Sequence, residues 1–193
     1  MQANNILLLG GSAGSIPVIV ALLKTLPYSF SYSVIIVIHR LKNVDSDMGR
    51  ILSAGNDLKV CEPEDKDAVE MGKVYLAPQN YHLLIEEDKT FSLDYSEPVY
   101  YSRPSIDVLF QSAAEAYQKN ATAIILSGAN QDGAAGLTAI IEHGGKAFVQ
   151  HPSTAEFSIM PRAAINANKT VTLLTPDQMV FFLREAFTIN KAT

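Results

Sequence analysis

Short apolar runs alternate with longer stretches of helical spacing almost from one end of the chain to the other, and this alternation constrains the fold more than any other feature. A strand buried on both faces reads as an unbroken apolar run, and two parallel strands need a crossover between them, usually a helix. Residues 6–9 form the first such run. The Gly/Ser loop 10–15 leads into a helix expected over 16–26, with Ser15 as its N-cap and Pro17 in the first turn, where a missing N–H costs little. Further strands are expected at 34–38, 58–62 and 73–77, with a short helix at 47–54. Segments 82–86 and 91–95 are joined by only a few polar residues around Asp88 and Lys89, too few for a crossover, so they predict a hairpin. Pro104 and Ser105 open a helix to about residue 118, with Ile106, Leu109, Phe110, Ala113 and Tyr117 on one face. A strand at 121–126, a helix at 134–143 stopped by Gly144 and Gly145, strands at 147–150 and 171–174, and a final helix capped by Thr175 complete the pattern. It predicts one domain over 1–193, of class α/β: a three-layer α/β/α arrangement on a mostly parallel, doubly wound (Rossmann-like) sheet with one antiparallel hairpin.

Composition narrows the function. Of the residues, 48% are hydrophobic and 18% charged, which supplies one large core and excludes a disordered chain. Fifteen Lys and Arg against twenty Asp and Glu leave a net charge of −5, the wrong sign for gripping phosphate backbones, so no nucleic-acid partner is expected. The apolar stretch 6–23 is cut by Gly10, Gly11, Ser12, Gly14, Ser15 and Pro17, and residues 1–5 carry no basic side chain, so neither a membrane span nor a signal peptide is expected. Cys61 is the only cysteine. It cannot form an internal disulfide or a cysteine metal cluster, it reads as a small buried hydrophobe, and a reducing cytoplasm suits the chain.

In open parallel sheets the ligand crevice lies beyond the carboxyl ends of the strands. Three chemistry-bearing residues follow expected strands: Ser12 inside GGSAGS, His39 after VIIVI, and Asp132 inside SGANQDG. A serine hydroxyl needs a base to take its proton, and the base needs its second nitrogen held by an acid, so this trio satisfies the requirements of a Ser-His-Asp triad. Two other readings of the serine loop fare worse. G-x-G-x-x-G fails in every register, and the second strand ends in His39-Arg40 where a dinucleotide site wants an acid. Residues 10–14 match G-x-S-x-G, but the α/β-hydrolase order of serine, acid, histidine is not the order here. Taken singly, each residue also has a bland role: a strand–helix turn, a structural histidine, a cap for the helix near Ala134. His82, His143 and His151 lack the spacing of a metal site, so no metal and no cofactor is expected. Arg40, Arg103 and Arg162 lie in or near loops where they could meet a carboxylate-bearing substrate.

Six ordered segments, LLLGGSAGS, IHR, YLAPQNYHL, SRPSIDVLF, ILSGANQDGAAG and MPRAA, resemble the catalytic domain of the CheB-type chemotaxis protein-glutamate methylesterases from end to end. The resemblance implies that Ser12 is the nucleophile, His39 the base and Asp132 the orienting acid. It implies hydrolysis of glutamyl methyl esters on the cytoplasmic domain of methyl-accepting chemotaxis receptors with release of methanol, and in many members deamidation of receptor glutamines. It also places Ala13, Gly14 and Ala129 at the substrate and oxyanion region. Ala13 stands where the family commonly has threonine, Ser15 where it has glycine, Ala129 where it has methionine and Gln131 where it has asparagine. A member that kept the fold and lost turnover through such changes would be a receptor-binding or regulatory module, the competing expectation. Only five residues precede the first strand, so the resemblance covers the catalytic domain without a receiver domain, and phosphorylation control within this chain is not expected.

Overall fold

The computed structural model describes residues 4–27, 29–40, 47–55 and 58–189, so the expectations for the first residues and for a domain spanning 1–193 extend outside the described residues. In chain order the elements are β1 (Asn5–Gly11), α1 (Ile16–Leu23), β2 (Tyr32–Ile38), α2 (Met48–Leu52), β3 (Val60–Cys61), β4 (Val74–Leu76), β5 (His82–Ile85) and β6 (Phe91–Asp94). There follow α3 (Ile106–Tyr117), β7 (Ala121–Ile125), α4 (Ala134–Glu142), β8 (Lys146–Gln150), α5 (Ile159–Ala167), β9 (Thr172–Leu174) and α6 (Pro176–Ile189).

Seven strands form one sheet in the order β3-β4-β2-β1-β7-β8-β9, with every pairing parallel. Because successive side chains point to opposite faces, β1 serves two cores at once. Ile6 and Leu8 join Ile35, Val37, Ala123 and Ile125 beneath α3, α4 and α5. Leu7 and Leu9 join Val34, Ile36, Ile124 and Leu126 beneath α1, α2 and α6. This is the expected three-layer α/β/α domain. The strand order reverses between β1 and β7, which puts the crevice of the doubly wound sheet beyond the ends of these two strands. The hairpin β5–β6 is a separate antiparallel pair, with Leu83, Ile85 and Phe91 packed into the α3 side of the core.

Several local expectations are corrected. Helix α1 ends at Leu23, three residues early, where Thr25 and Leu26 turn back in i→i−3 bonds to Leu22 and Leu23. Ser15 does not cap α1: its backbone is already helical and its hydroxyl donates to the Ser12 carbonyl at 2.7 Å. Ser105 has the extended backbone of a true N-cap and opens α3 as expected. Helix α5 was not anticipated, because Pro161 interrupts its apolar spacing. Pro161 is tolerated since it occupies the first turn, where its missing N–H would have had no partner within the helix.

Candidate active site

Strand register sets the backbones of the first two residues of the predicted trio side by side, while the His39 ring bonds Asp132 and lies against Asn130. Gly11 of β1 pairs with Ile38 of β2, so Ser12 and His39 are the next residues of two adjacent parallel strands, and the His39 N–H donates to the Gly11 carbonyl at 3.4 Å. On the other side of β1, the Ser12 N–H donates to the Ser127 carbonyl at 2.9 Å, which ties the serine loop to the loop after β7. Glycine is required at two points of this loop. Gly14 has φ +76, and a Cβ there would meet the side chains of Ser127 and Glu156. A Cβ on Gly11 would lie 2.5 Å from Ser15 Cβ. The serine loop is held further by Ser127, whose buried hydroxyl donates to the Ala13 carbonyl at 2.7 Å and accepts the Phe157 N–H at 2.9 Å.

Asp132 is fully buried, and its carboxylate accepts four hydrogen bonds. Oδ2 accepts from His39 Nε2 at 2.7 Å and from the Ile106 N–H at 2.7 Å. Oδ1 accepts from the Ser105 hydroxyl at 2.9 Å and the Asp107 N–H at 3.0 Å. Burial alone would raise its pKa, but the His39 bond and the α3 backbone amides outweigh it and hold the carboxyl below the usual aspartate value. The aspartate thus caps α3, not the adjoining α4, which starts at Gly133 in a left-handed conformation with φ 93.

With Nε2–H donated to Asp132, the lone pair of His39 is on Nδ1, the nitrogen available to take a proton. Asn130 lies against that side, with Nδ2 3.5 Å from Nδ1, while its Oδ1 accepts the Asp132 N–H at 3.2 Å. This orientation and tautomer follow from the hydrogen-bond network. His82, fully buried on β5, accepts the Ser105 N–H at Nδ1 (3.2 Å) and bonds the Glu97 carbonyl through Nε2 (3.1 Å). The network runs from His82 through Ser105 and Asp132 to His39. Sequence reasoning singled out Asp132 and His39 but missed Asn130, Ser105, His82 and Asp107 as its supports. Ser105 and Asp107 did carry a signal, an N-cap followed by an acid in the first turn.

Other predicted residues lie apart from this network. Arg40 bonds Glu62 at 2.6 Å through a side chain that is 5% exposed. Arg103 stacks 3.8 Å above the Tyr95 ring and donates to the Tyr95 and Ser96 carbonyls at 2.8 and 2.6 Å. Both guanidinium groups are engaged within the fold. Arg162 is exposed and lines an open groove of about 770 Å³ between α4 and α5, which begins at Gln131 beside Asp132 and includes Tyr100 and Ile159. Ala13, beside Ser12 in the serine loop, and Ala129, in the loop after β7, are exposed. Among the described residues no group of three or more His, Cys, Asp or Glu side chains could hold a metal ion, and no helix is long and apolar enough to cross a membrane.

Fold and site together define a doubly wound α/β domain of hydrolase type, with a histidine–carboxylate pair at the strand ends beside a serine loop. The chain belongs to the CheB methylesterase family, whose profile matches residues 7–183. A relative from Leptospira interrogans, provisionally named a protein-glutamate methylesterase/protein-glutamine glutaminase, is 46% identical over 179 residues, 92% of this chain and 93% of that protein. The protein-glutamate methylesterase/protein-glutamine glutaminase of Trichodesmium erythraeum is 33% identical over 84% of this chain. One from Methanosarcina acetivorans, bearing the same name and numbered 2, is 32% identical over 91%. The chain spans about half the length of these last two, 47% and 51%. Its structure superposes on the Thermotoga maritima CheB methylesterase catalytic domain with a TM-score of 0.88 at 27% identity, covering 96% of this chain and 100% of that one.

Proposed function

We propose that this protein is a serine hydrolase that demethylates glutamyl methyl esters on the cytoplasmic domain of methyl-accepting chemotaxis receptors, releasing methanol, and that it works in the cytoplasm. The observation that carries this reading is the 2.7 Å bond between His39 and Asp132 on the strand adjoining Ser12, in a chain of the CheB family. Ser12 Oγ attacks the ester carbonyl while His39 Nδ1 takes its proton. Asp132, kept ionised, stabilises the imidazolium that forms. The Ala13 and Gly14 amides of the serine loop and the Ala129 amide of the loop after β7 supply the oxyanion region. His39 returns the proton to the departing methoxide, and water resolves the acyl-enzyme by the same route in reverse. A glutamine side chain would react through the same tetrahedral intermediate with ammonia leaving, which is the glutaminase reaction in the relatives' names.

The test is methanol release from methylated receptor. Wild type should turn over. Ser12→Ala and His39→Ala should each lose activity by about 10³-fold or more, and the double variant should be no worse, because the two residues act as one unit. If wild type binds methylated receptors and releases no methanol from any of them, the hydrolase reading fails and a receptor-binding module takes its place.

A further inference from the structure

Asp107 is an ionisable side chain in the core, 5% exposed, that the mechanism above does not use. It sits in the first turn of α3, where its own N–H donates to Asp132 Oδ1 at 3.0 Å. Its carboxylate reaches the other way, to the start of α4, and accepts the Gly136 N–H at 2.7 Å. The Gly133 and Ala135 amides also favour its charged form. The capping is therefore reciprocal: Asp132, at the foot of α4, caps α3, and Asp107, in α3, caps α4. The helices touch at this point, since a Cβ on Gly136 would lie 3.0 Å from Asp107 Cα.

Resting on the hydrolase reading, we propose that Asp107 is a positioning residue for the base, its carboxylate locking the foot of α4 to α3 so that Asp132 stays aligned with His39. The charged group facing Asp107 is Asp132, with His39, just past β2, behind it, and His82 of β5 reaches the same helix end through Ser105. No lysine or arginine ion-pairs with Asp107 among the described residues. Burial, chiefly, and the Asp132 charge push its carboxyl up to about 6 against the pull of the α4 amides. Below that pH a protonated carboxyl has less capacity to accept the α4 amides.

The isosteric Asp107→Asn variant tests this, because an amide can accept through only one oxygen, much as the protonated acid does. At pH 7.5, kcat for methanol release should fall about 10-fold or more with KM within about 2-fold of wild type, a loss of alignment and not of binding. The ratio of wild-type to variant kcat should shrink toward one as the pH drops below about 6, where wild type itself becomes protonated. Thermal stability at pH 7.5 should be equal or higher in the variant, since a buried charge is removed. Equal kcat from pH 5 to 8, or a pH-independent loss matched by a fall in Tm, would overturn the proposal. A readout independent of turnover is the downfield NMR proton of the His39 Nε2–H···Asp132 bond. If wild type shows this proton, releases no methanol, and loses the proton in the variant, the hydrolase reading fails and the positioning role stands. An unchanged proton in the variant overturns the positioning role whatever the activity.

Discussion

Asp107 and Asp132, 25 residues apart in sequence yet on neighbouring helix ends, are shifted in opposite directions. Asp132 is held below the ordinary carboxylate value, so its contribution to stability is complete above that value and is lost as the pH falls through its depressed pKa. Asp107 is raised to about 6, so the native state binds its proton more tightly than the unfolded chain, and stability is gained as the pH falls from neutral through 6 toward the ordinary carboxylate range. Tm measured from pH 7.5 to pH 5 should therefore rise in wild type relative to Asp107→Asn, and parallel curves would remove Asp107 as the cause. Asp132→Asn should cost about 1–3 kcal/mol, because charge-assisted bonds to the α3 amides become neutral ones. It should lower kcat by about 10⁴-fold, since an amide –NH₂ turned toward Nε2 forces the wrong tautomer of His39. Chemical denaturation and methanol release measure the two effects separately. Near-normal turnover would leave Asp132 as a helix cap alone.

Among the elements, α3 and α4 do most to build the site, because the first turn of α3 holds the carboxylate of Asp132, from the loop leading into α4, and the first turn of α4 holds that of Asp107 in α3. Gly136 permits this approach. A Cβ there would come within 2.6 Å of Phe110 Cβ and 3.1 Å of the Asp107 carbonyl, so Gly136→Ala must push the helices apart. The expected cost is about 1–3 kcal/mol in a denaturant titration, accompanied by a loss of kcat, and an unchanged midpoint would show that α4 can shift freely. Most elements were legible from apolar runs and caps, as at Ser105, because those signals are local. Ser15 was misread since a serine before a helix looks the same whether its hydroxyl serves a backbone amide or, as here, the Ser12 carbonyl. Helix α5 escaped because Pro161 interrupts its apolar spacing, which leaves Met160 and Ala164 with meaning only against the core they enter.

For the molecule as a whole, net charge and site charge pull in different directions. If the substrate proposed above is presented on an acidic helical segment, a protein of net charge −5 gains nothing from its overall field on approach, and a local cation would have to guide it. Arg40 and Arg103 are engaged within the fold, which leaves Arg162 on the groove beside Asp132. Arg162→Gln should lower kcat/KM for intact receptor by a few-fold to about 10-fold, most at low salt, and spare a small neutral ester. Equal losses on both substrates would place Arg162 in the chemistry. The sequence by itself determined the layered α/β plan and the three strand-end residues, because burial on both faces leaves continuous apolar runs and the crevice of such a sheet follows from strand direction. Tertiary structure alone decided that Asp132 caps the helix 26 residues before it in the chain, that His82 and Asn130 brace the pair, and that Arg40 and Arg103 bond to Glu62 and to the Tyr95 and Ser96 carbonyls. Those outcomes depend on which helix ends meet across the sheet, and no local pattern of residues encodes a meeting between segments so far apart.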